Sequence, residues 1–68
     1  MKATLLSLGY CGVDKIQFPV EVELVKETWF GRDLYAISTK EVVRIGGDNS
    51  MFLPDDTYAL IESEFKLL

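Results

Sequence analysis

One cysteine and one pair of adjacent aspartates have the side-chain types that catalysis needs. Cys11 lies in a segment bounded by glycines, and Asp55 directly precedes Asp56. A reactive thiolate needs a base or nearby cations, but the chain contains no histidine and only Lys15 is close in sequence. Carboxylate chemistry needs two groups across a sheltered cleft, and 68 residues leave little room for one. The sequence therefore predicts a protein that is not an enzyme.

Two glycine-containing segments are candidate phosphate-binding loops, and the Asp-Asn-Ser run after the second is a candidate metal-binding loop. Residues 9–12 and 46–47 lack the Lys-Ser/Thr pair and the strand-to-helix setting of phosphate-binding loops. Residues 48–50 carry oxygen atoms that could bind Ca²⁺, but the further spaced acidic ligands of a calcium loop are missing. We therefore expect turns at these positions, no cofactor and no metal ion. We likewise expect Asp55 and Asp56 to form a helix cap or a solvated turn.

A short run of aromatic and charged residues is the candidate binding site. The only tryptophan of the chain lies beside a phenylalanine, an arginine and a tyrosine around a glycine. Tryptophan, tyrosine and arginine dominate the binding energy of protein interfaces. The sequence thus predicts a partner-binding site formed by Trp29, Phe30, Arg32, Asp33 and Tyr35. The alternative is that Trp29 or Phe30 turns inward and closes one end of the fold.

The balance of charge is acidic. Seven lysines and arginines stand against 11 aspartates and glutamates, for a net charge of -4. This charge repels a phosphate backbone unless the basic residues gather on one face, so nucleic acid is not the expected partner. Paired hairpins could still bring together Lys26, Arg32, Lys40 and Arg44, with the aromatic residues stacking on bases. A small β-barrel that binds single-stranded nucleic acid is therefore the alternative function.

Composition predicts one folded domain over residues 1–68. The chain is 49% hydrophobic and 26% charged, far from the composition of disordered proteins. This hydrophobic fraction is high for a small domain, which has much surface relative to its volume. It favours a homo-oligomer, and we expect a dimer. The single cysteine and the lack of a long apolar run predict a cytoplasmic protein without a membrane span.

Alternation of apolar and polar residues predicts the first strands. Residues 3–8 form a first strand rather than a signal peptide, and residues 16–26 show the clearest period of two. Glu21 and Glu23 then face solvent. Because Pro19 has no N–H for a ladder, it predicts an edge position or a bulge near the start of that strand.

The later segments predict a hairpin and two ambiguous regions. Residues 34–37 return antiparallel to the second strand, with Gly31 at the hairpin tip. Residues 38–41 match a helix capping box, but the following β-branched residues lead us to predict a strand over residues 42–45. A second hairpin follows at residues 46–53. Residues 57–68 fit a helix and a strand equally well.

Five or six short strands in 68 residues predict a mostly β fold. The expected architecture is an antiparallel β-barrel or roll of SH3-like size, with room for a short C-terminal helix. The alternative is an α+β fold in which that helix packs on an antiparallel sheet. The predicted function is a non-catalytic interaction module that binds and modulates, or inhibits, a larger protein. Its size and charge also fit an inhibitor encoded by a bacteriophage or another mobile element.

Overall fold

Six short strands and one short helix make up the regular structure. A computed structural model describes all 68 residues. The elements are β1 (Lys2–Leu5), β2 (Val20–Glu23), β3 (Val25–Trp29), β4 (Arg32–Ser38), α1 (Thr39–Arg44), β5 (Thr57–Ala59) and β6 (Phe65–Leu67). They form two three-stranded antiparallel sheets, with strand orders β2-β1-β6 and β3-β4-β5. The prediction of a mostly β, antiparallel fold is confirmed, but strand pairing does not close the sheets into a barrel.

The strand predicted over residues 16–26 is divided at Leu24. Its first part, β2, pairs with β1, and its second part, β3, pairs with β4 in the other sheet. Leu24 is buried at the joint and continues the alternation of β2, whereas β3 is mostly exposed and does not extend it. Glu21 and Glu23 are exposed, as predicted. Pro19 directly precedes β2, which is an edge strand, so the predicted edge position is also confirmed.

The predicted hairpin connects β3 and β4. Trp29 lies opposite Arg32, which leaves Phe30 and Gly31 as a two-residue turn. Their φ angles are 52° and 78°, so both residues occupy the left-handed region. Two-residue turns of this kind match the twist of antiparallel strands and favour Asn-Gly. Gly31 adopts this conformation easily, whereas Phe30 does not.

The prediction of a strand over residues 42–45 is wrong, because residues 42–44 belong to α1 and Ile45 is the C-cap of this helix. The Ser38 side chain accepts a hydrogen bond from the Glu41 N–H at 3.2 Å and caps the helix. Val42 is fully buried in the core. A cap and one buried helical face therefore outweigh the preference of β-branched residues for strands. The helix ends at the glycines, and Gly46 has a φ of 117°.

The second half of the chain departs from the other predictions. Residues 49–51 form a 3-10 turn rather than part of a second hairpin. Of the two alternatives for residues 57–68, the structure favours the strand over the helix, because the tail contains β5, a 3-10 turn at Glu62–Glu64, and β6. The two strands pair in different sheets, so the chain must cross from one sheet to the other between them. Glu64 holds this crossing, since its buried carboxylate accepts hydrogen bonds from the N–H groups of Gly9 and Ile61.

Both sheets and the helix contribute to the hydrophobic core. Its ten buried residues are Ala3, Leu5, Leu8, Ile16, Val22, Leu24, Ile37, Val42, Phe52 and Leu60. None of the helices is both long and apolar enough to cross a membrane.

Candidate functional site

The β3–β4 hairpin divides the predicted site residues between its two faces. Residues directly opposite each other in an antiparallel pair lie on the same face. Trp29 and Arg32 are such a pair and share one face. Asp33 and Tyr35 are two residues apart in β4 and lie on the other face. Phe30 lies in the turn between β3 and β4 and is exposed to solvent.

Both aromatic residues at the tip are exposed. Phe30 is 101% exposed and Trp29 is 42% exposed, so neither turns inward to close the fold. The Trp29 indole N–H donates a hydrogen bond to the Glu27 carboxylate at 3.1 Å, which orients the ring. The tip thus presents one free and one oriented aromatic side chain to solvent.

Phe30 adds nothing to the stability of the fold. Its ring buries no surface, and its left-handed backbone costs a non-glycine residue roughly 1–2 kcal/mol. Asparagine would fit the same turn with less strain. A contact outside the chain would therefore account for a phenylalanine at this position.

The two charged site residues differ in how their charge is balanced. The Asp33 carboxylate accepts a hydrogen bond from the Thr28 hydroxyl at 2.9 Å and lies 3.8 Å from the Lys26 ammonium group. Arg32 has no carboxylate within 4.0 Å. Arg32 is therefore the charged group of the tip that remains free to pair with a partner.

Tyr35 has a structural role as well as a position in the candidate site. Its ring is partly buried and packs against the core. It also meets the Phe65 ring edge-on, with the ring centroids 5.4 Å apart. A substitution of Tyr35 would thus disturb the fold together with any binding surface.

A groove between β4 and β6 extends the site beyond the hairpin tip. It has a volume of about 710 Å³, and Arg32, Asp33 and Tyr35 form one side of it. The other side is formed by Leu60 and β6, including Phe65, Lys66 and Leu67. Sequence reasoning missed this second side because no local pattern shows that β4 and β6 come together. Only the pairing of each strand within its own sheet places them there.

At the opposite edge of the sheet from β6, α1 covers the free edge of β2. The Glu41 carboxylate accepts a hydrogen bond from the Glu23 N–H at 2.6 Å. The Arg44 guanidinium donates to the Glu21 carbonyl at 3.2 Å and to Glu41 at 2.6 Å. The bond from Arg44 holds the pKa of Glu41 below its usual range, and Glu41 raises the pKa of Arg44. Side chains thus bond to the backbone groups of β2 that an added strand would otherwise reach.

The four basic residues of the nucleic-acid hypothesis do not form one surface. Lys26 lies near Asp33, and Arg44 pairs with Glu41. Lys26 also lies on the hairpin face opposite that of Arg32. Pairing and placement therefore leave no shared cationic face among these residues.

The residues considered for catalysis or metal binding take part in turns. The Asp56 carboxylate accepts the Thr57 N–H at 2.8 Å, and the Asp48 carboxylate accepts the N–H and hydroxyl of Ser50, which lowers the pKa of Asp48. Cys11 is exposed. The structure contains no group of three or more histidine, cysteine, aspartate or glutamate side chains placed to hold a metal ion. Burial, with Glu64 and Tyr58 nearby, raises the pKa of Tyr10.

The protein exposes more surface than its mass requires. Its accessible area is 4745 Å², against about 4,300 Å² for a compact monomer of this mass. Many large apolar side chains are exposed: Met1, Leu6, Tyr10, Val25, Trp29, Phe30, Met51, Leu53, Ile61, Leu67 and Leu68.

Comparisons with models of protein families, with curated proteins and with solved structures found no match to this chain.

Proposed function

We propose that this protein is a non-catalytic interaction module that binds and modulates a larger protein. The contact surface is the hairpin tip, formed by Trp29, Phe30 and Arg32. Full exposure of Phe30 in a strained turn is the observation that carries the proposal, because folding gains nothing from this ring. The oriented Trp29 ring and the unpaired Arg32 supply the other two kinds of contact that commonly dominate interfaces.

Inhibition is the form of modulation that best suits this surface. A chain of 68 residues with no assembled catalytic group can act on a partner by occupying part of its surface. We further propose a cytoplasmic, self-associated protein encoded by a bacteriophage or another mobile element. The exposed apolar side chains support self-association, and the single exposed cysteine suits a reducing compartment.

Affinity capture with a substitution at the tip tests the proposed site. The tagged protein and its F30N variant are each incubated with a cell lysate, with and without nuclease, and the retained proteins are quantified. F30N creates the Asn-Gly turn, so we expect a variant at least as stable as the parent, with capture reduced more than about tenfold. Thermal unfolding of both proteins checks their stability.

Two further variants serve as matched controls. L53N removes an exposed apolar side chain outside the hairpin, and K40A removes an exposed cation from α1. Both should capture the partner as the parent does, whereas R32A should capture less. Equal capture by F30N and the parent would refute the proposed site. Retention that disappears with nuclease would instead support the single-stranded nucleic-acid alternative.

A further inference from the structure

In the β3-β4-β5 sheet, β5 is shorter than β4 and covers only its second half. Strand β5 pairs with β4 across Ala36–Ser38 alone. One further hydrogen bond follows, from the Leu60 N–H to the Tyr35 carbonyl at 2.9 Å, and the chain then leaves β4. On the β5 side of β4, the first half of the strand, Arg32–Tyr35, has no paired strand, while β3 pairs with it on the other side.

The hydrogen-bond pattern of β4 shows which backbone groups of Arg32–Tyr35 point toward the side that β5 does not cover. In an antiparallel sheet, every second residue of a strand directs its N–H and C=O to the same side. Because Tyr35 directs its carbonyl toward β5, Asp33 directs both of its backbone groups to that side as well. The Asp33 N–H, the Asp33 C=O and the Tyr35 N–H have no hydrogen-bond partner within the chain. They form a short, open strand edge.

Strand β6 supplies a second open edge on the other side of the groove. The Leu68 N–H donates to the Lys2 carbonyl, so Lys66 and Leu68 direct their backbone groups to β1. Phe65 and Leu67 therefore direct theirs outward from the sheet, where β6 has no neighbour. Two strand edges thus border one groove.

The charges of the groove indicate what its occupant carries. Arg32 and Lys66 have no carboxylate within 4.0 Å, and Glu62 is the only acidic residue of the groove that lacks a cation within this distance. The remaining acid, Asp33, is balanced by Lys26. The net charge of the protein is -4, but these unpaired groups leave the groove with a small positive excess.

We propose that the groove binds an extended segment of the partner protein as an added β-strand beside the first half of β4. Alternate apolar side chains of that segment pack on Tyr35 and Phe65, and a carboxylate pairs with Arg32 or Lys66. Main-chain hydrogen bonds give such strand addition its affinity, and the alternate side chains give its specificity. The inference rests on the proposed function, since Arg32 belongs to both surfaces.

Selection from a displayed library of random heptapeptides tests the proposed strand addition. The parent protein should enrich peptides with alternating apolar residues and at least one carboxylate. Binding of these peptides should fall more than about tenfold in D33P and stay within about threefold in D33A. D33P removes an N–H that the β3–β4 ladder does not use, and D33A controls for the lost carboxylate.

A chemical variant of the peptide keeps the test decisive if D33P does not fold. An enriched peptide is synthesised with N-methyl groups on either of its two alternating sets of amides. One set should abolish binding and the other should preserve it, because a single edge of an added strand faces β4. Bound peptide should also slow hydrogen exchange at the Asp33 and Tyr35 amides.

Several results would overturn the inference. These are failure to enrich peptides, equal binding to D33P and D33A, and equal tolerance of both methylated sets. Concentration-dependent dimers that D33P disrupts would assign the edge to a second copy of the chain instead. Capture of the natural partner that is lost in F30N but normal in D33P would refute strand addition and leave the proposed function intact.

Discussion

The free edge of β2 is covered, whereas the first half of β4 leaves its edge open. At β2, Glu41 and Arg44 extend from α1 and bond to the backbone of Glu23 and Glu21. At the first half of β4, no side chain bonds to the outward backbone groups, although Arg32 and Asp33 are close by. An uncovered edge readily pairs with another chain, and proteins commonly block such edges.

The small size of the protein does not by itself explain the open edge of β4, because the edge of β2 in the same protein is covered. One short helix, capped by Ser38 and held by Val42, is sufficient to protect β2. No helix covers the first half of β4 in the same way, and the exposed Trp29 and Phe30 directly precede it in the hairpin. The open edge of β4 therefore adjoins the other candidate contacts.

The largest expected change comes from removing the anchor of α1. Val42 is fully buried, so V42A should lower the free energy of unfolding by about 2–3 kcal/mol through lost burial and a cavity. The loosened helix should also speed hydrogen exchange at the Glu23 amide more than at the Asp33 amide. Denaturant unfolding and exchange measured by NMR check both effects. Unchanged exchange at Glu23 would show that α1 does not protect the edge of β2.

A smaller change should follow when the covering side chain is removed and the helix stays. E41A leaves the Glu23 N–H without its acceptor and Arg44 without its carboxylate, at a cost of about 1–2 kcal/mol for a partly exposed pair. We expect faster exchange at Glu23 and stronger self-association at low salt, because the edge of β2 becomes available. Sedimentation of E41A beside D14A, which removes an exposed carboxylate outside both this edge and the groove, checks the second effect.

Acid should weaken the covered edge reversibly, with the smallest effect of the three. The pKa of Glu41 is lowered in the folded state, so the unfolded chain takes up the proton first as the pH falls. The stabilisation from Glu41 is complete above its ordinary pKa of about 4.3 and is lost as the pH falls through the folded value. Urea unfolding between pH 6 and pH 3 should show a shallower loss for E41Q than for the parent. An equal slope in both proteins would contradict this origin of the pH dependence.

Local patterns in the sequence predicted the elements that depend on neighbouring residues. The alternation around Val22 and the glycine at position 31 located β2, the start of β3 and the turn of the hairpin. They did not show that Leu24 separates two sheets, because the alternation leading up to Leu24 does not reveal which strand each part pairs with. Assignment of a strand to one sheet or the other depends on distant pairing.

Competing local signals were decided by burial. The Ser38 cap and the β-branched residues after it favoured different structures, and burial of Val42 in the core favours the helix. In the tail, a 3-10 turn at Glu62–Glu64 separates β5 from β6. The Glu64 carboxylate in this turn accepts a hydrogen bond from the N–H of Gly9, a residue far away in the sequence. The aromatic tip could be proposed from sequence, but the groove beside β6 could not, since it exists only where two sheets meet.

The short connections on either side of β3 bear on how much order the protein must gain when it binds. A two-residue turn joins β3 to β4, and the single residue Leu24 joins β3 to β2. Neither connection contains a loop that would have to become fixed in a complex. The Trp29 ring is already held by Glu27. Association at this end therefore loses little conformational entropy, and even a small contact area can yield a specific complex.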